Sequence, residues 1–157
     1  MQAAETVISS PFANPVFATF ARAGLGLLSV LRGDVAVAAE QYRFLESRQG
    51  IMIDGGEFSV DRLLGLLAQT MGNLDKAAEH FEDSLAFCRK AGYRPELAWS
   101  LCDYADCLLA RAQQAAPLPG DRARAMALLD EALAISSELG MRPLMERVLS
   151  RREILTA

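Results

Sequence analysis

The tetrad Gly92-Tyr93-Arg94-Pro95 returns as Gly140-Met141-Arg142-Pro143, and the 48 positions between the copies also separate Gly72 from Gly120. Two separate landmarks with one offset make an internal repeat. In each tetrad the Gly can adopt the left-handed conformation that closes one helix, and the Pro carries the fixed φ of a first helical turn. Each tetrad therefore predicts a helix stop followed by a helix start. Helical units that recur in this way bury their faces on one another, so the expected fold is an all-α solenoid of antiparallel helix hairpins. That moves the functional question from a catalytic pocket to a binding surface.

One frame runs through the chain three times. Its second copy is Leu64-Gly65, Gly72-Asn73, Ala77, Phe81 and Ser84, and its first is Leu25-Gly26, Gly33-Asp34, Ala38, Tyr42 and Leu45. The third is Ala105, Gly120-Asp121, Ala125, Leu129 and Ala132, lengthened by an insertion at 112–119. Without the insertion the period is about 40 residues. The predicted helices are 14–32, 34–48, 57–71, 74–91, 95–112, 121–139 and 143–155. They group as repeats over 14–48, 57–91 and 95–139, with a capping helix at 143–155, in a single domain over 1–157. Between repeats one and two, Ile51-Met52-Ile53 reads as a short extended piece or a packed loop. Gly55-Gly56 reads as a turn, since no Lys-Ser/Thr follows it to make a phosphate loop.

These positions resemble the tetratricopeptide repeat over nearly the whole chain, with Leu-Gly in the first helix, a Gly-Asp-type turn, and the Ala…Phe…Ala series on the second. The copies depart from it in being longer than its 34 residues, in lacking the Trp that opens the first helix in copies one and two, and in Leu129 where an aromatic is usual. A narrower likeness is carried by Val60-Asp61-Arg62-Leu63-Leu64-Gly65-Leu66-Leu67-Ala68 and by Leu128-Leu129-Asp130-Glu131-Ala132-Leu133 with Leu139-Gly140-Met141. It resembles the C-terminal helical region of large bacterial signalling ATPases, which accompanies adenylate/guanylate cyclase, kinase or LuxR-type DNA-binding domains. The resemblance implies a non-catalytic module for protein–protein interaction or self-association, serving as the regulatory part of such a system. A small-ligand sensor with its effector in the concave groove is the competing implication.

Composition narrows the partner. The net charge of −4 and the lack of a long Lys/Arg run argue against nucleic acid. Met1 to Glu5 is not the basic start of a signal peptide, and the longest apolar stretch, Ala23–Leu31, interrupted by Gly26 and Ser29, is far too short to span a bilayer. A cytoplasmic protein with a protein or peptide partner and no membrane is expected. Cys88, Cys102 and Cys107 lack Cys-x-x-Cys spacing and are expected as small core residues. No metal, cofactor or nucleophile–base pair is indicated, so no enzyme activity is expected.

The repeat frame projects an inner row of Phe20, Ala23, Leu27 and Val30, then Arg62, Leu66, Gln69 and Thr70, then Trp99, Cys102, Asp106 and Leu109. The candidate groove residues are Arg62, Leu66, Gln69, Trp99 and Asp106, because Trp and Arg are frequent interface anchors. The rival reading packs Trp99 between hairpins. Leu27 and Leu66 occupy inner positions where the resemblance would require Lys and Asn to clamp a peptide carboxylate. Arg62, Asp106 and Glu96 are expected to set the partner's register.

The first helix is apolar around most of its circumference, which predicts an N-terminal interface of Phe17, Phe20, Leu27 and Leu31, covered by preceding repeats or by a second copy in a homodimer. The last helix places Leu144, Met145, Val148 and Leu149 on one stripe, leaving Arg147, Arg151, Arg152 and Glu153 to face water. His80, between Glu79 and Glu82, is expected at the solvated surface.

Overall fold

The computed structural model describes residues 4, 6, 14–53, 58–114 and 119–156. Among these the principal helices are α1 (Pro15–Arg32), α2 (Val35–Leu45), α3 (Val60–Thr70), α4 (Leu74–Ala91), α5 (Arg94–Ala112), α6 (Asp121–Glu138) and α7 (Arg142–Thr156). The architecture is the all-α helical repeat expected, with helix ends within a few residues of those read from the sequence. The second helix stops at Leu45 and tightens into a 3-10 turn over Glu46–Arg48, and the third starts at Val60 rather than at 57. Met52–Ile53 takes the extended alternative. These two residues form β1, which pairs antiparallel with β2 (Phe58–Ser59) in the register Met52 to Ser59 and Ile53 to Phe58. The Gly55-Gly56 turn and positions 115–118 of the insertion lie outside the described residues.

The repeated tetrad has one geometry in both copies. Gly92 and Gly140 sit at φ 77° and 67°. Beyond each, the next residue's N–H reaches back across the helix end, from Tyr93 to the Cys88 carbonyl at 3.0 Å and from Met141 to the Ser136 carbonyl at 2.8 Å. This six-to-one bond is the Schellman closure, which satisfies a carbonyl that the helix itself leaves unpaired. Arg94 and Arg142 then donate to the Gly92 and Gly140 carbonyls, each at 2.9 Å, turning the chain into the next helix.

Helix starts repeat as well. Asp34 caps α2 by accepting from Val37 N–H at 3.1 Å, and Asn73 accepts from Lys76 N–H at 3.2 Å one repeat later. In the third copy the cap position falls on Gly120, and Asp121 becomes the first residue of α6. Its carboxylate is released to accept two bonds of 2.8 Å from the Arg111 guanidinium near the end of α5.

The chain divides into two compact units, Met1–Ala77 and Ala78–Ala157. In the first, α1, α2 and α3 enclose Ala23, Ala38, Leu45, Ile53, Val60, Leu63, Leu64 and Leu67. At Gly26 α1 faces α3, where an added Cβ would make ordinary van der Waals contact with Leu63 Cδ1 at 3.5 Å. In the second, Phe81 stacks on Tyr104 with ring centroids 5.7 Å apart, and the buried hydroxyls of Ser84 and Ser100 share a 2.9 Å hydrogen bond. Ala38, Ala77 and Ala125 occupy one frame position in the three copies, and all are fully enclosed. Burial of the same small residue in each copy is the physical content of the repeat.

Candidate functional site

The first candidate surface is the outer side of α1. Phe17, Phe20 and Leu31 are exposed there, and Phe17 and Phe20 meet edge to face at 6.5 Å. Leu27 is half-buried against the core, so of the four interface candidates it is the one shared with the fold. The inner row expected on this helix splits: Ala23 and Val30 turn to the core, whereas Phe20 stays outside.

By length and composition alone, helix α1 meets the minimum for crossing a membrane, a test that core helices of soluble proteins also pass. Relative to the apolar stretch from Ala23, Pro15 to Arg22 extends the helix with a single charge. That charge is satisfied internally: Arg22 donates to Glu40 Oε1 and Gln41 Oε1, each at 3.1 Å, and lies 4.5 Å from the Phe44 ring centre. The hydroxyls of Thr19 and Ser29 bond back to the Pro15 and Gly26 carbonyls at 2.9 and 2.7 Å.

The predicted groove residues fall into both units. On α3, Arg62 is 9% exposed, with its guanidinium 4.7 Å from the Phe58 ring centre, so it is an internal strut rather than an open anchor. Phe58, read from the sequence as part of a helix over 57–71, is instead carried there by β2. Leu66 and Gln69 are half-buried, and the Gln69 Oε1 is enclosed without a hydrogen bond. Thr70 turns its hydroxyl onto the Leu66 carbonyl at 2.9 Å.

On α5, Trp99 is half-buried, with the Arg147 guanidinium 6.0 Å from its ring centre. Arg147 reaches from α7 to Asp103 Oδ1 at 2.7 Å and to Asp106 Oδ2 at 2.8 Å, and Arg151 donates to Asp106 Oδ1 at 2.7 Å. Trp99 and Asp106 are thus brought together, by two arginines absent from the predicted row. The expectation that Arg147, Arg151 and Arg152 simply face water is corrected, Arg152 being paired with Asp130 at 2.8 Å. The missed signal was spacing: Arg147 and Arg151 are one turn apart, as the acids Asp103 and Asp106 are.

Two further positions differ from expectation. His80 is buried, because it shares a helix face with Ala77, Ser84 and Phe81 while Glu79 and Glu82 project elsewhere. Glu96 is buried too and is therefore part of the fold rather than of an open rim. The three cysteines are buried free thiols. Burial pushes the Cys102 thiol up to about 12, with Arg147 and Arg151 opposing and Asp106 and Asp103 adding to it, so it stays protonated at neutral pH. Tyr104 is raised by burial and by donating to Glu82 Oε1 at 2.6 Å. The hydrogen bond from Arg111 holds the Asp121 carboxyl below the usual carboxylate range. Among the described residues no group of three His, Cys, Asp or Glu side chains is placed to hold a metal ion.

The arrangement offers faces with paired charges and apolar anchors, which is the chemistry of recognition. No curated protein and no solved structure matches the chain. Residues 57–116, which span α3, α4 and α5, match the family model for the tetratricopeptide repeat, a family of typically non-catalytic scaffolds that bind proteins or peptides, and the chain is tetratricopeptide-repeat-like.

Proposed function

We propose that this chain is a non-catalytic interaction module that seats a peptide or helix of a protein partner. In this reading it is the regulatory part of a signalling or transcription-control ATPase or cyclase system, acting within one polypeptide or between chains. The repeat-family match supports the class of function. The observation that carries the surface is the juxtaposition of half-buried Trp99 with Asp106, Arg147 and Arg151, an aromatic anchor set among fixed charges. The regulatory context rests on the sequence likeness around Val60 to Ala68.

Trp99 is the single tryptophan of the chain, so its emission reports on this surface alone. Selection from a displayed random peptide library is expected to enrich sequences that shift Trp99 emission and lose binding to a folded Trp99→Ala variant. Absence of any enriched sequence, or binding indifferent to Trp99→Ala and Asp106→Ala, would overturn this surface. Stabilisation by a small metabolite without any peptide enriched would favour a ligand sensor instead.

A further inference from the structure

Helix α1 carries two stripes with opposite roles. Thr19, Ala23, Gly26 and Val30 follow one helical face into the first unit, where Ala23 and Val30 join the core and Gly26 abuts Leu63. About a third of a turn round the helix, Phe17, Phe20, Gly24, Leu27 and Leu31 follow alternating spacings of three and four, Leu27 being shared with the core, and make a seam that fits a partner helix lying alongside. Leu31 is 82% exposed, Phe17 60% and Phe20 37%, and Val35 at the start of α2 adds 52%. A Cβ placed on Gly24 would meet nothing within 4 Å. No charged side chain stands on the seam.

We propose that this seam pairs antiparallel with the same seam of a second copy of the chain, which names the partner of one surface and so deepens the interaction-module reading. The size pattern argues for a copy of the chain itself. With the two-fold axis between Leu25 and Gly26, residues equidistant from it face each other, so Phe20 lies over the partner's Leu31 and Leu27 over the partner's Gly24. Phe17 falls over the partner's Asp34, beyond the end of its α1. The bulky Leu27 thus meets the one seam residue without a side chain, twice over, as an isologous contact requires. The uncharged seam needs no complementary charge on the other side. A bilayer fits less well, because insertion would strip Ala23 and Gly26 from their packing and open the Arg22 pair with Glu40. One helix seam per copy is at the small end of specific interfaces, so the dissociation constant is expected on the order of micromolar.

The test is light scattering coupled to size-exclusion chromatography on the full chain across the micromolar range. The wild type is expected at twice the chain mass at the upper end. Leu31→Glu and Phe17→Glu, both at exposed positions, are expected to be folded monomers by circular dichroism. Gly24→Leu enters open space in the monomer, and is expected to retain the helical melting transition while weakening the dimer at least ten-fold. Phe20→Glu and Leu31→Lys are each expected to be monomeric, and an equal mixture to regain a dimer through the antiparallel layer that brings the two new charges together. A wild type that is monomeric throughout overturns the proposal, as does a dimer indifferent to Leu31→Glu and Gly24→Leu. Mixed variants that stay apart while the wild type dimerises overturn the antiparallel register. A wild-type monomer that pellets with phosphatidylcholine vesicles in a Leu31-dependent way assigns the face to lipid and also overturns it. Peptide binding read at Trp99 in the monomeric variants is independent of these outcomes, so either reading can fail without the other.

Discussion

Arg147 on α7 holds the buried carboxylate of Asp103 on α5 at 2.7 Å, and its second contact, to Asp106, ties the last helix to the helix before the insertion. Burial opposes the charge on Arg147, yet Asp103 and the hydrogen bond to Asp106 outweigh it and raise its pKa above the ordinary arginine value. The same contacts hold the guanidinium beside Trp99.

Removing Arg147 leaves Asp103 enclosed without its cation. Arg147→Ala is expected to lower the unfolding free energy by about 2–3 kcal/mol, measured by urea denaturation. Arg147→Met with Asp103→Leu is expected to recover much of that, because the buried charge goes with its partner. If the double variant is as unstable as the single one, apolar packing rather than the ion pair dominates the contact.

Acid titration separates the Asp121–Arg111 pair from the rest. The folded carboxyl is held below its unfolded value, so its stabilisation is present above about pH 4 and is lost as pH falls through the lower folded pKa. Asp121→Asn is therefore expected to be less stable than the wild type by on the order of 2 kcal/mol at pH 7, with the gap closing below pH 4. Denaturant melts of the two proteins at several pH values check this, and a gap constant down to pH 2 would contradict it.

The thiols should behave as core atoms. Cys88, Cys102 and Cys107 are buried, and burial raises the Cys102 thiol to about 12. A charged thiol reagent at pH 7.5 is expected to leave the native chain unlabelled and to modify three thiols together once guanidinium unfolds it. Rapid labelling of one thiol in the native state would place that cysteine outside the core.

The two tetrads should respond alike to substitution. Gly92→Ala and Gly140→Ala both force a Cβ into left-handed backbone in open surroundings, so each is expected to cost about 1–2 kcal/mol. Thermal melts of the two variants should shift by similar amounts. Unequal shifts would mean that the helix ends differ in how much tertiary packing they carry.

Much of the fold was legible because a repeat states its constraints more than once. Gly92 and Gly140 each close a helix, and Ala38, Ala77 and Ala125 each mark a point where only a small side chain fits between helices. Such local and periodic requirements are written in single residues at fixed spacing, so helix order, turn positions and the all-α class followed from the sequence. Tertiary structure alone decided what each remaining polar side chain meets. His80 is enclosed, Arg62 lies over Phe58, and Arg147 spans from α7 to Asp103, because burial and ion pairing depend on neighbours far away in the sequence. A charged residue on a helix face looks the same in sequence whether water or a carboxylate lies opposite. Only packing the helices brings the second partner within reach.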